Sequence, residues 1–229
     1  MVPDLPTNPL LLRSWLEVDA QDSRFSPHRL WRLRVDVDRA AAPELDVTER
    51  EVGQVSLVHI DLRRALLPPP ASKPVAELKP ALEFVDSIIA DRSTGRLVDE
   101  AEEMIEPGPA GAVVVHSVTI QSRWCAHGLP LLLLVSALQR SAEAPGFARF
   151  ALATTTTSPS GGRWFPGLRA SERQGALAPA LLKGAGLSLY RGVYIGALQD
   201  PQFRQYSTHI LLGWLIEKLA AGVVDPRGR

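Results

Sequence analysis

The stretch that most constrains the fold runs from Ala112 to Ser141. Ala112 to Ile120 is dense in valine and reads as a strand, and Gly128 to Ser141 reads as a helix with Pro130 in its first turn. The body of that helix, Leu131 to Val135, is apolar all round. A helix with no polar stripe has to be covered, and the preceding strand makes a sheet its natural cover. The 229 residues are enough for a substantial core, and one domain spanning 1–229 is expected.

Hydrophobic spacing supplies the rest of the order. Trp31, Leu33, Val35 and Val37 alternate with Arg32, Arg34 and Asp36, which is a half-buried strand. Val55 to Leu62 alternates likewise and pairs with it across the loop 40–52. Residues 1–28 read as an irregular lead-in with one short helix near Leu10–Val18. Leu67 to Pro74 carries Pro-Pro-Pro and reads as an extended connector. Val75, Leu78, Leu82, Val85 and Ile89 follow helical spacing, with Pro80 putting the regular start near Lys79. Asp91 to Gly95 breaks that helix, and an acidic helical segment runs on to about Ile105. Beyond the apolar helix come a strand over Phe147–Thr154, a loop to Gly167, a helix over Glu172–Gly184, a strand or hairpin over Leu187–Leu198, and a helix over Phe203–Ala221.

Composition narrows the function. Twenty-five basic residues balance twenty-five acidic ones, which argues against nucleic acid or an anionic membrane as partner. Cys125 is the single cysteine, so no intramolecular disulfide forms. The first residues lack the basic start and apolar run of a signal peptide, and the apolar run Leu129–Ala137 is too short to span a bilayer. A cytoplasmic protein is expected. The five histidines show no metal-ligand spacing, and no metal is expected. His116 reads as a structural histidine first and a base second, and Cys125 as an inert small residue.

A strand that feeds a helix N-terminus through a glycine-bearing turn can gather backbone N–H groups and the helix dipole onto an anion. Small residues let the main chain approach phosphate oxygens, and Ala126 and Gly128 supply them. The segment resembles the acetyl-CoA loop of the GNAT superfamily of N-acetyltransferases. Val118-Thr119-Ile120 stands as the strand end and Trp124 as the aromatic, followed by Cys125-Ala126-His127-Gly128-Leu129-Pro130 and the helix from Leu131. A shifted register, with Arg123, Ala126 and Gly128 at the motif positions, fits the aromatic and the helix less well. Cys125 stands where the family has Arg or Gln, and Pro130 where it has a small residue. Downstream, Leu181 to Leu187 looks like the family's closing helix and its glycine step.

The resemblance implies a mixed α/β (α+β) fold with a mostly antiparallel sheet flanked by helices. It also implies acetyl-CoA as the donor and a small-molecule or protein amine as acceptor. Val118, Ile120, Ala126, His127, Gly128, Leu129, Pro130 and Leu131 would line the donor. Leu182 takes the place of the family's usual tyrosine acid, leaving Tyr190 and Tyr194 as substitutes, with His116, Glu83 or Asp86 as base. The alternative is a GNAT-fold binding or scaffolding protein that has lost catalysis and still holds CoA. The last helix carries Ile210, Leu211, Leu212, Trp214, Leu215, Ile216 and Leu219, too much apolar surface for one exposed helix. Either the 8–18 segment shields it, or it packs on its mate in a homodimer anchored by Trp214.

Overall fold

The computed structural model describes residues 12–18, 28–37, 46, 50–64, 73–121, 128–143, 148–155 and 177–220. Three strands come first among the described residues: β1 (Leu12–Val18), β2 (His28–Val37) and β3 (Glu51–Asp61). Helix α1 (Lys73–Ile88) leads into a small hairpin, β4 (Ile89–Asp91) and β5 (Arg96–Leu97), and helix α2 (Asp99–Met104). Strand β6 (Gly111–Ile120), helix α3 (Leu129–Glu143) and strand β7 (Phe150–Ala153) form the centre. Helix α4 (Pro179–Gly184), strands β8 (Ser188–Tyr190) and β9 (Val193–Ala197), and helix α5 (Pro201–Ala220) complete the described chain.

Seven strands make one sheet in the order β1-β2-β3-β6-β7-β9-β8. Every neighbouring pair is antiparallel except β6 and β7, which are parallel and joined through α3. The class is α+β, a mostly antiparallel sheet with helices on both faces. One face buries Leu33, Leu57, Val115 and Val118 under Leu134 and Leu138 of α3, as the apolar character of that helix requires. The other buries Ile60, Val114, Phe150 and Leu152 under Leu82, Val85 and Ile88 of α1 and Leu97 and Ile105 beside α2.

The expected strands at 31–37, 55–62 and 112–120 form, the first two as an antiparallel pair. The expected helix near Leu10–Val18 does not. Residues 12–18 are a strand that pairs with β2 from Leu12↔Val37 to Val18↔Trp31, so the segment 1–28 is not wholly irregular. Helical and alternating spacing are both readable in this short run, and the open edge of β2 decides by offering backbone partners. Helix α1 also begins earlier than Pro80 suggests, at Lys73, and takes the proline into its interior. The loss is one backbone hydrogen bond, and Pro80 sits on the exposed side. Residues 65–72, 156–176 and 221, which hold most of the expected proline connector, the 155–167 loop, the start of the 172–184 helix and the final residue of the last helix, lie outside the described residues.

Helix α5 is capped by Asp200, whose Oδ1 accepts from Gln202 N at 2.7 Å, with Pro201 at the first helical position. It packs on α3, with Phe203 and Ser207 buried and Ile210, Leu211 and Trp214 partly buried. Among the described residues no helix is long and apolar enough to cross a membrane.

Candidate functional site

The parallel pair β6–β7 positions the site. Its ladder runs from Ala112↔Phe150 to Val115↔Ala153 and stops, while β6 continues to Ile120. One residue past the last pair, the register of β6 against β3 slips: Leu57 faces Val115 but Ser56 faces Ser117. His116 is therefore the extra residue of a β-bulge. The slip shows in packing too, because Val113 and Val115 face α3 before the bulge, and Val118 and Ile120 face it after. Bulges bend and twist a strand, and this one stands at the carboxyl end of the parallel pair. In sheets with parallel strands, that is where ligand crevices form.

Two further features hold the end of β6. Gly53 of β3 lies so close to it that a Cβ there would meet Thr119 O at 2.3 Å, so only glycine permits the approach. Beyond the strand, Gly128 opens α3 with φ +72°, a conformation that disfavours side chains. Its carbonyl accepts the first helical bond, from Leu132 N at 3.4 Å. Leu129 and Leu131 then carry N–H groups that helical geometry leaves without a helical acceptor, and Pro130 carries none. Leu129 is buried, while Pro130 and Leu131 are half-buried. Ala126 and His127, like Trp124 and Cys125, lie outside the described residues. Trp214 of α5 stands beside this turn, its indole Nε1 at 3.9 Å from where a Gly128 Cβ would be. The side chain expected to anchor a dimer thus lies against α3 of its own chain.

The opposite face holds a cavity of about 600 Å³ at the same end of β7. Thr154 and Thr155 continue β7 into its wall, Glu83 and Phe84 come from α1, and Arg191 and Val193 come from the β8–β9 turn. Arg191 and Gly192 form a two-residue turn with φ of 47° and 85° between the paired Tyr190 and Val193. The Arg191 guanidinium bonds the Glu100 carboxylate and lies 5.2 Å from the centre of the Tyr190 ring. Glu83 pairs with Lys79 at 3.5 Å.

The two candidate tyrosines fall on opposite faces. Tyr194 is buried in the α3-side cluster and pairs with Ala153, the last residue of the parallel ladder. Tyr190 packs edge-on against Phe84 on the cavity side. Its hydroxyl is enclosed without a hydrogen bond of ordinary geometry. Lost hydration and the nearby Glu100 carboxylate push its phenol above the ordinary value of 10, against the pull of Arg191. Tyr190 therefore stays protonated at neutral pH. Asp86 is tied to Arg92, which leaves Glu83 as the helix carboxylate that faces the cavity. Leu182 is wholly buried and serves the core.

Arg191, Thr154 and Thr155 escape the sequence reading, since the end of β7 and the β8–β9 turn lie far apart in the chain. For Arg191 the one signal is a non-glycine residue before glycine in an apparent hairpin; Thr154 and Thr155 carry none. Among the described residues no group of three histidine, cysteine, aspartate or glutamate side chains could hold a metal ion. Comparison with protein-family models, with curated proteins and with solved structures gave no match.

Proposed function

We propose that the chain is a GNAT-like N-acetyltransferase that moves the acetyl group of acetyl-CoA onto an amine. The observation that carries this reading is the end of the β6–β7 ladder beside the His116 bulge, together with the glycine-opened N-terminus of α3 that follows in the chain. The N–H groups of Leu129 and Leu131, with the helix dipole behind them, suit a pyrophosphate. Ala126 and His127 would complete that turn, and Val118 and Ile120 would flank the pantetheine arm. Pro130 withholds one donor. A charge-assisted hydrogen bond lost there costs about 1.5–3 kcal/mol, which weakens binding without abolishing it.

Acetyl-CoA supplies an acyl thioester, whose carbonyl carbon forms a bond to the amine as its C–S bond breaks. In this reading Glu83, on the cavity wall, takes a proton from the amine, and Tyr190 on the cavity side or Tyr194 on the α3 side would return one to the departing thiolate. His116, at the β6 bulge, serves the strand geometry first. Heating the protein with acetyl-CoA or CoA tests the reading, because a ligand of the native state stabilises by mass action. An upward shift in Tm with either is expected, and no shift at millimolar ligand would remove it. Release of free thiol in the presence of an amine then separates catalysis from binding alone. The second reading, a CoA-binding scaffold without catalysis, draws on the buried Leu182 and on Pro130.

Self-association belongs to the same proposal. Leu212 and Ile216 stand 50% and 63% exposed on the side of α5 away from α3, and a second copy of α5 would cover them. Light scattering should show a dimer that Ile216→Glu dissociates; a monomer at micromolar concentration rejects it.

A further inference from the structure

We infer that the cavity between α1, the end of β7 and the β8–β9 turn selects an α-amino acid with an apolar side chain as its amine. The inference rests on the acetyltransferase reading only for what happens to the bound molecule, not for what binds. Two opposite charges stand on the cavity wall, Glu83 from α1 and Arg191 from the hairpin turn, with an apolar surface from Phe84 and Val193 and hydroxyls from Thr154 and Thr155. An ammonium suits the carboxylate, and an α-carboxylate suits the guanidinium, whose planar fork of donors matches it in two-point fashion. The side chain is left to the apolar wall.

Arg191 has two neighbours that orient its side chain. Glu100 accepts from one guanidinium nitrogen, Nη2, and the guanidinium lies over the Tyr190 ring, which limits its freedom before any ligand arrives. Its backbone sits at φ 47°, where Asn or Gly would be at less cost. An arginine at a strained turn position, oriented by two neighbours and set on a cavity wall, is a charge available to a ligand there. Lys79 and Glu100 balance Glu83 and Arg191, so the wall is polarised without a net charge that would favour a simple amine or a simple acid.

Binding to the full chain decides the point by saturation-transfer NMR and calorimetry, using L-leucine, L-phenylalanine, their carboxamides and N-acetyl-L-leucine. The free amino acids are expected to bind at least tenfold more tightly than the carboxamides, and N-acetyl-L-leucine, which lacks the ammonium, more weakly than L-leucine. Arg191→Gln should remove the preference for the acid over the amide, with Arg191→Lys retaining part of it, and Glu83→Gln should weaken acid and amide alike. Equal binding of acid and amide to the parent, no binding of either amino acid at 10 mM, or a preference that survives Arg191→Gln overturns the proposal. Acetyl-CoA is titrated separately. Binding of acetyl-CoA without amino-acid preference sinks this inference alone, while amino-acid preference without acetyl-CoA binding sinks the transferase reading and leaves the cavity assignment standing.

Discussion

The two faces of the sheet are held by different physics. Under α3 the contacts are almost wholly apolar, from Leu33 and Val55 to Leu134, Val135 and Leu138. Under α1 and α2 the apolar layer is edged with charge. Arg149, only 4% exposed, bonds both carboxylate oxygens of Glu102 and the carbonyl of Ile105, while Glu102 also accepts from Leu97 N. Asp86–Arg92 and Glu100–Arg191 continue the series toward the cavity. One face therefore owes its stability to area removed from water, which pH hardly touches. The other adds directional bonds that position a hairpin and a turn but depend on ionisation.

The largest effect should come from the apolar face. Leu134→Ala deletes a wholly buried side chain and should cost about 2–5 kcal/mol in urea unfolding, equally at pH 7 and pH 4. A loss under about 1 kcal/mol would show that α3 packs more loosely than its burial implies.

Next comes the charged face. Glu102→Ala leaves Arg149 buried without its carboxylate and should cost about 3 kcal/mol at pH 7, at the low end because the Ile105 and Glu106 carbonyls still receive it. The Arg149 hydrogen bond, chiefly, holds the Glu102 carboxyl below its ordinary value of 4.5, with burial opposing. A folded-state value below the unfolded one gives stability that is present above about 4.5 and lost as pH falls through the folded value. The gap between parent and Glu102→Gln should therefore narrow in acid, whereas the Leu134→Ala gap should not. Parallel behaviour of the two would dissolve the contrast between the faces.

Smaller in stability, but decisive for the site, is Gly128→Ala. A side chain at φ +72° costs about 1–2 kcal/mol, yet the change stands where the main chain would meet phosphate. Stabilisation by acetyl-CoA should vanish while the fold persists; an unchanged Tm shift would move the donor site elsewhere.

How much of this was legible depended on how local the signal was. Alternation at 31–37 and the apolar body of 131–135 announce β2 and α3, because each segment carries its own partner requirement. Strand β1 does not announce itself, since its pairing with β2 is decided by a neighbour rather than by its own spacing. The bulge at His116 hides in Val113-Val114-Val115, where either face accepts valine and the slip in alternation has no polar marker. The glycine turn at 128 was readable, whereas Trp214 beside it was not, because helical spacing says which side of α5 is apolar but not what covers it. The cavity could not be read at all, since the residues around Phe84, Thr154 and Arg191 meet only once the sheet order is known.

The smallest stability effect separates the cavity from the framework. Asn adopts left-handed backbone more readily than arginine, so Arg191→Asn should recover part of the strain at φ 47°. Against that stands the ion pair with Glu100, whose partners are 58% and 55% exposed, and exposed pairs contribute about 0.2–1 kcal/mol. The two effects oppose each other at similar size, so stability should stay within about 0.5 kcal/mol of the parent. Discrimination between L-leucine and its amide should nevertheless disappear, since asparagine is neutral and too short to replace the fork of donors. A turn residue kept for packing would give the reverse pattern, with stability falling and ligand preference intact. Urea unfolding and calorimetry on the same preparation distinguish the two, and a fall of more than about 1.5 kcal/mol would mean that the turn needs its arginine for the fold.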